Sequence, residues 1–196
     1  LKPSEAKQIG EVIIVTCGDT IHFARDGEVF KTVCEFGTYW FQNGLLHRED
    51  GPARDNVDGR KEWHRNGKLH REDGPAVEMA DGEKEWWFNG NRHREDGPAC
   101  EYVNGHREWW VHDKRHRIDG PAIEKASGLK EWWANGKRHR EDGPAVQYKN
   151  GTKEWWANDK RHREDGPAVE RVDGYKEWHR NGEMFKVVWG NSLKLS

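Results

Sequence analysis

The string His-Arg-x-Asp-Gly-Pro-Ala places an imidazole, a guanidinium and one or two carboxylates within four residues. Such a set could move protons as a general acid–base pair, or offer His and Asp to a metal ion. It occurs six times, with its histidines at His47, His70, His93, His116, His139 and His162, each 23 residues after the last. Six equivalent copies argue against catalysis, because an active site needs one asymmetric constellation of nucleophile, base and orienting group. The serines (Ser4, Ser127, Ser192 and Ser196) do not recur with the period, and neither do Cys17, Cys34 and Cys100. A zinc ion needs three or four ligands within roughly 2.0–2.3 Å of its centre. Histidines in neighbouring copies stand about 9–10 Å apart if each copy adds two strands to a sheet. No catalytic residue, metal or cofactor is expected, and the string is read as structure.

A period held without insertion over six copies identifies a repeat protein, one small supersecondary unit stacked along an axis. Two turn signals punctuate each unit: Asn89-Gly90 or Asn135-Gly136, and then Asp81-Gly82 or Asn104-Gly105. Asn-Gly between short aromatic runs is a hairpin signal, because both central residues of a type I′ turn need positive φ. No segment between glycines is long enough, or has the 3.6-residue period, to form a helix. The expected fold is all-β: an elongated, single-layer antiparallel β-meander of stacked 23-residue hairpins. Its expected parts are an N-terminal cap at 1–35, a repeat array at 36–177 and a capping hairpin and tail at 178–196. Residues 1–11 read as a polar lead-in.

A two-residue turn sets cross-strand register. Around Asn89-Gly90, Trp87 faces Arg92, Trp86 faces His93 and Glu85 faces Arg94; around the next tips, Trp109 faces His116 and Trp132 faces His139. These are structural pairs, each contributing roughly 0.2–1 kcal/mol. The Glu–Arg pairs form an expected ladder through Glu62–Arg71, Glu108–Arg117, Glu131–Arg140 and Glu154–Arg163. Asp96 is expected to bond the backbone of its own Gly97-Pro98 turn. At the ends, Phe23 is expected opposite Phe30 and Trp178 opposite Phe185.

The first Trp of each pair recurs in every unit, but the second does not. That position holds Phe41, His64, Trp87, Trp110, Trp133, Trp156 and His179. The pairs Trp87–Arg92, Trp110–Arg115, Trp133–Arg138 and Trp156–Arg161 therefore form a central stripe, the expected binding surface, since Trp and Arg are enriched at interface hot spots. The competing reading is an Arg stacked on each Trp as a self-contained cation–π pair.

Composition agrees with a thin protein. Hydrophobic residues make up 33% and charged residues 35%, and 12 Trp dominate the apolar content, too few aliphatics for a thick two-layer core. The net charge of −2 gives no pull toward nucleic acid. The odd number of cysteines, with no CxxC spacing, reads as reduced thiols in a cytoplasmic compartment. No apolar run reaches the roughly 20 residues of a membrane span, and no signal peptide is visible.

The pattern Trp-Trp-x-Asn-Gly-x-Arg-His-Arg-x-Asp-Gly-Pro-Ala resembles the MORN-type hairpin repeats, and most closely the divergent HRxDGPA repeats of giant-virus and phage proteins. The resemblance covers about residues 36–185. It departs from the family at Glu85-Trp86-Trp87, where MORN strands carry an aromatic-x-Gly-x-aromatic pattern. What it implies is a hairpin array used as an interaction scaffold. The expected function is non-enzymatic binding of a protein partner or of a second copy, with a host protein as target if the chain is viral. Alternatives are a carbohydrate-binding aromatic platform and, third, single-stranded nucleic-acid binding.

Overall fold

The computed structural model describes residues 5–190, so the outermost parts of the 1–35 cap and of the 178–196 tail lie outside the described residues. Among the described residues the ordered elements are β-strands joined by turns, with no helix. The chain falls into two compact units, one ending at Arg92 and the other beginning at His93.

In the first unit, Glu5–Ile9, Val12–Cys17, Thr20–Arg25, Glu28–Cys34 and Gly37–Gln42 pair antiparallel in chain order. The sheet continues through Arg54–Asn56, Lys61–Glu62, Val77–Glu78 and Lys84–Glu85. In the second unit it runs antiparallel from Cys100–Glu101 through Arg107–Glu108, Ile123–Glu124, Lys130–Glu131, Val146–Gln147, Lys153–Glu154 and Val169–Glu170 to Lys176–Arg180 and Glu183–Val188. Each repeat thus adds two strands, as the turn spacing predicts. The expected polar lead-in is corrected by Glu5–Ile9, which is itself a strand: Gly10, at φ +60°, closes a tight turn that returns the chain onto Val12–Cys17.

From this sheet each repeat projects a small hairpin. Asn66, Asn89 and Asn135 have φ of 51–53° and are followed by glycines at positive φ, the geometry the type I′ turn demands. The expected register holds at all four tips: Trp87 faces Arg92, Trp110 faces Arg115, Trp133 faces Arg138 and Trp156 faces Arg161. One step further in, His116 and His139 still donate their N–H to the carbonyls of Trp109 and Trp132, at 3.1 Å.

Beyond that step the strand departs from the expected register. Glu131 lies between Ile123 and Val146, and Glu154 between Val146 and Val169, instead of opposite Arg140 and Arg163. The physical reason is the first Trp. Its N–H bonds the Ala that closes the next loop (Trp132 to Ala145, Trp155 to Ala168, both 2.8 Å), so the strand leaves its hairpin partner and joins the base sheet. A register extrapolated through that point fails. At the ends, a bulge at Phe23/Ala24 and another at Trp178/His179 slide the pairing by one, placing Lys31 opposite Phe23 and Lys186 opposite Trp178. The extra residue displaces the expected Phe partners and sets an ammonium over each ring, at 5.3 and 4.4 Å.

The core is correspondingly thin. Ala53, Ala76, Ala99, Ala122, Ala145 and Ala168, the last residue of each motif, are 0% exposed, and beside them lie Val77, Cys100, Ile123, Val146 and Val169. Cys100 therefore follows the 23-residue period after all, serving as a small hydrophobe in an aliphatic row.

Candidate functional site

The motif's Arg is held on every side. Arg48, Arg71, Arg117, Arg140 and Arg163 lay their guanidinium over Trp40, Trp63, Trp109, Trp132 and Trp155 at 4.0–4.2 Å. In all six copies Nε donates to the Asp two residues on at 2.7–2.9 Å. A terminal nitrogen donates to the Pro carbonyl at 3.2–3.4 Å. This corrects the expectation for Asp96, whose carboxylate accepts from Arg94, because a charged donor two residues away outcompetes a neutral backbone N–H. The Arg hydrogen bond and charge hold Asp50, Asp73, Asp96, Asp119, Asp142 and Asp165 below the usual aspartate range. The glycine belongs to the same device: a Cβ at Gly51, Gly74, Gly97, Gly120, Gly143 or Gly166 would come within 2.8–3.2 Å of the guanidinium carbon.

The motif's His joins one repeat to the next. Nδ1 of His47, His70, His116 and His162 accepts the backbone N–H of the following tip, from Asn66, Asn89, Asn135 and Asn181, each at 3.1 Å. At His70, where Nε2 faces a Glu72 carboxylate oxygen at 3.2 Å, the accepting Nδ1 puts the ring hydrogen on Nε2. The ring also meets the next tip: His70 lies 4.7 Å from Phe88 and His93 4.4 Å from His112. Burial, and then the neighbouring His112, push His93 below the ordinary histidine value, against an opposing pull from Glu95.

The second-Trp stripe is built on glutamates that the sequence reading had given to other partners. Trp87, Trp110, Trp133 and Trp156 donate Nε1–H to Glu85, Glu108, Glu131 and Glu154 at 2.8–3.0 Å. His64 and His179, which stand at the same position, reach Glu62 and Glu177 through Nε2 at 2.9 and 2.8 Å. Where the glutamate is absent, at Tyr39, the donor is absent too, at Phe41. That covariation inside the chain was the available signal for the contact. The His64 bond, reinforced by Arg60 and Arg54 against burial, pulls Glu62 down to about 2.

Arginines interleave with these rings. In the second unit Arg115 lies over Trp110 and Trp133 (4.7 and 5.3 Å), Arg138 over Trp133 and Trp156 (5.2 and 4.9 Å), and Arg161 over Trp156 (5.4 Å). In the first unit Arg92 lies over Trp87 at 4.8 Å. The same guanidinium groups approach Glu85, Glu108, Glu131 and Glu154 at 3.4–3.6 Å. The indoles are half-buried, with their N–H groups and faces engaged inside the protein. Of the structural residues, Trp109, Trp132 and Arg94 thus belong to the clamp under the loops, Glu85 to this ladder, and His93 and His116 to the link onto the next repeat.

The loops leave exposed the motif's Asp, at 81–84% of its side chain, and the variable residue before it. Glu141 and Glu164 have 91% and 83% of their side chains exposed, and at the equivalent position Ile118 is 93% exposed. Successive loops enclose grooves: one of about 810 Å³ between the Glu141 and Glu164 loops, floored by Trp155, Trp156 and Pro144, and one of about 800 Å³ beside Ile118, with Trp109, Val111 and Pro98. A third, of about 770 Å³, lies between the Glu49 and Glu72 loops of the first unit.

Among the described residues no three His, Cys, Asp or Glu side chains converge where an ion could be held. Cys17, Cys34 and Cys100 are unbridged thiols, and among the described residues no helix is long and apolar enough to cross a membrane. No protein-family model matches the chain, and no curated protein is similar to it in sequence.

Proposed function

We propose that the chain is a non-enzymatic protein-interaction scaffold that presents a periodic row of side chains on near-identical loops. The observation that carries this reading is the division of labour within the motif: His, Arg, Gly, Pro and Ala are engaged in internal contacts, the exposed Asp is bound to the Arg two residues before it, and the variable Glu141 and Glu164 stand in solvent without a hydrogen bond beside an aromatic-lined groove. The Trp–Arg–Glu ladder then acts as the stiffening element that keeps the loops in step. The resemblance to MORN-type arrays supports a scaffold role, and the likeness to giant-virus and phage repeats favours a host protein as partner in the host cytoplasm. Stacking sugars or bases on the ladder would require open indole faces, which the guanidinium groups cover.

The test is affinity capture with the wild type, a loop variant (Glu141→Lys with Glu164→Lys) and a ladder variant (Trp133→Phe), each checked for native circular dichroism. A protein retained by the wild type and the ladder variant but lost by the loop variant supports the reading. Identical capture by all three, or glycan binding lost only in the ladder variant, overturns it.

A further inference from the structure

We propose that the loop row of the second unit receives an extended basic segment of a partner protein, with a cation at every third residue and one apolar side chain in register with Ile118. The inference rests on the scaffold reading above and names its partner class.

Charge comes first. In the groove between the Glu141 and Glu164 loops, Arg140 and Arg163 are matched by Asp142 and Asp165 at 2.7 and 2.9 Å. The two glutamates remain as the unmatched charge. The basic groups within 4 Å of them among the described residues are His139 and His162, whose Nε2 atoms stand 3.7 and 3.8 Å away, beyond hydrogen-bonding distance. A partner cation can bond these carboxylates at the rim while its aliphatic stem lies on Trp155, Trp156 and Pro144.

Spacing selects the ligand's backbone. Strand pairing is continuous from Cys100–Glu101 to Glu183–Val188 with two strands per repeat, so successive loops are offset by about 9.6 Å. An extended β-strand presents same-side residues every ~6.7 Å and falls out of step after one loop. A polyproline II segment returns to the same side every three residues, or ~9.3 Å, and drifts by only about 1 Å over four loops. Aromatic-lined grooves are the usual receptors for that conformation, whose low entropy reduces the cost of binding.

Ile118 gives the row its direction. Along the second unit the variable residues read Glu95, Ile118, Glu141 and Glu164. The exposed isoleucine borders the groove that contains Val111, Trp109 and Pro98, so the complementary segment reads basic, apolar, basic, basic at three-residue steps.

The test uses the full chain and fluorescein-labelled peptides followed by anisotropy: Lys-Pro-Pro-Leu-Pro-Pro-Lys-Pro-Pro-Lys, its reversed sequence, a peptide of the same composition with cations at every second residue, and a version with Glu for Lys. One of the two spaced orders should bind at least about tenfold tighter than the respaced and acidic peptides, a difference of about 1.4 kcal/mol. Added salt should weaken it. Glu141→Lys with Glu164→Lys should remove binding, and Ile118→Glu should reverse the preference for Leu over Lys at the second position. Binding that ignores spacing, or is unchanged by the loop substitutions, overturns the proposal. If the peptides fail but the loop variant still loses its captured partner, the basic class is wrong and the scaffold reading stands. If the loop variant loses neither, both fall.

Discussion

Gly166→Ala separates the clamp from ordinary backbone effects, because the two predict opposite signs. Gly166 is not among the glycines at positive φ, so its backbone accepts alanine. On chain entropy alone the substitution should stabilise by about 0.4–1 kcal/mol. The clamp predicts the reverse. The new methyl would sit 2.9 Å from Cζ and 3.1 Å from Nε of Arg163, whose other face lies 4.0 Å from the Trp155 ring. Restoring an ordinary contact of about 3.5–4.0 Å moves the guanidinium by roughly 0.6–1 Å, which the indole blocks on the far side. Sliding off the ring forfeits a cation–π contact of about 0.5–1 kcal/mol. It also strains the bonds to Glu170 (2.9 Å) and the Pro167 carbonyl (3.3 Å), charge-assisted contacts of about 1.5–3 kcal/mol when intact. The exposed Asp165 adds little. With partial loss of these terms set against the entropic gain, the net expectation is destabilisation by about 1–2 kcal/mol. Gly143→Ala, where the approach is 3.2 Å, should cost less. Urea unfolding followed by circular dichroism measures each variant alone and in an Arg163→Ala background. There the methyl has nothing to meet, and Gly166→Ala should stabilise. A stabilising Gly166→Ala in the wild type, or the same effect in both backgrounds, refutes the clamp.

Other outcomes follow from the same contacts. Trp133→Phe keeps a ring in the ladder but leaves Glu131 without its indole donor, and should cost about 1–3 kcal/mol in urea unfolding; an unchanged midpoint would remove the bond from the account. Burial pushes His93 and His106 below the ordinary histidine range, so the folded chain holds these rings neutral while the unfolded chain takes up protons first. Their stability contribution is complete above the unfolded value of about 6.5 and is lost as pH falls through the lowered folded values. Thermal midpoints should therefore drop as pH falls through this window, before Glu62, held at about 2, begins to protonate; a flat or rising midpoint contradicts this. Cys100→Val, at a site that is 1% exposed in a row of Val and Ile, should change stability by less than about 1.5 kcal/mol, and the native Cys100 thiol should resist a water-soluble thiol reagent until the chain unfolds.

The parts of this protein legible in its sequence are those set by local chemistry. The 23-residue spacing gives the repeat, and Asn135-Gly136 and its equivalents give the tip register, because a two-residue turn with both φ positive leaves only one pairing for the next few residues. That is why Trp133–Arg138 could be read directly, and why the reading failed at Glu131–Arg140 once Trp132 had left the hairpin. The covariation of Tyr39 with Phe41, against Glu with Trp or His elsewhere, was present but unused, since its meaning depends on a side-chain bond two residues apart along a distorted strand. Folding alone decided where the motif's polar groups go: the guanidinium between an indole and a glycine Cα, the imidazole on the next repeat's backbone, the glutamate under the second Trp. Each of these contacts joins segments brought together by the loop or by the neighbouring repeat, and several partners compete for every donor. A pattern of residue types can nominate those partners; the packed geometry, by fixing distance and burial, selects among them.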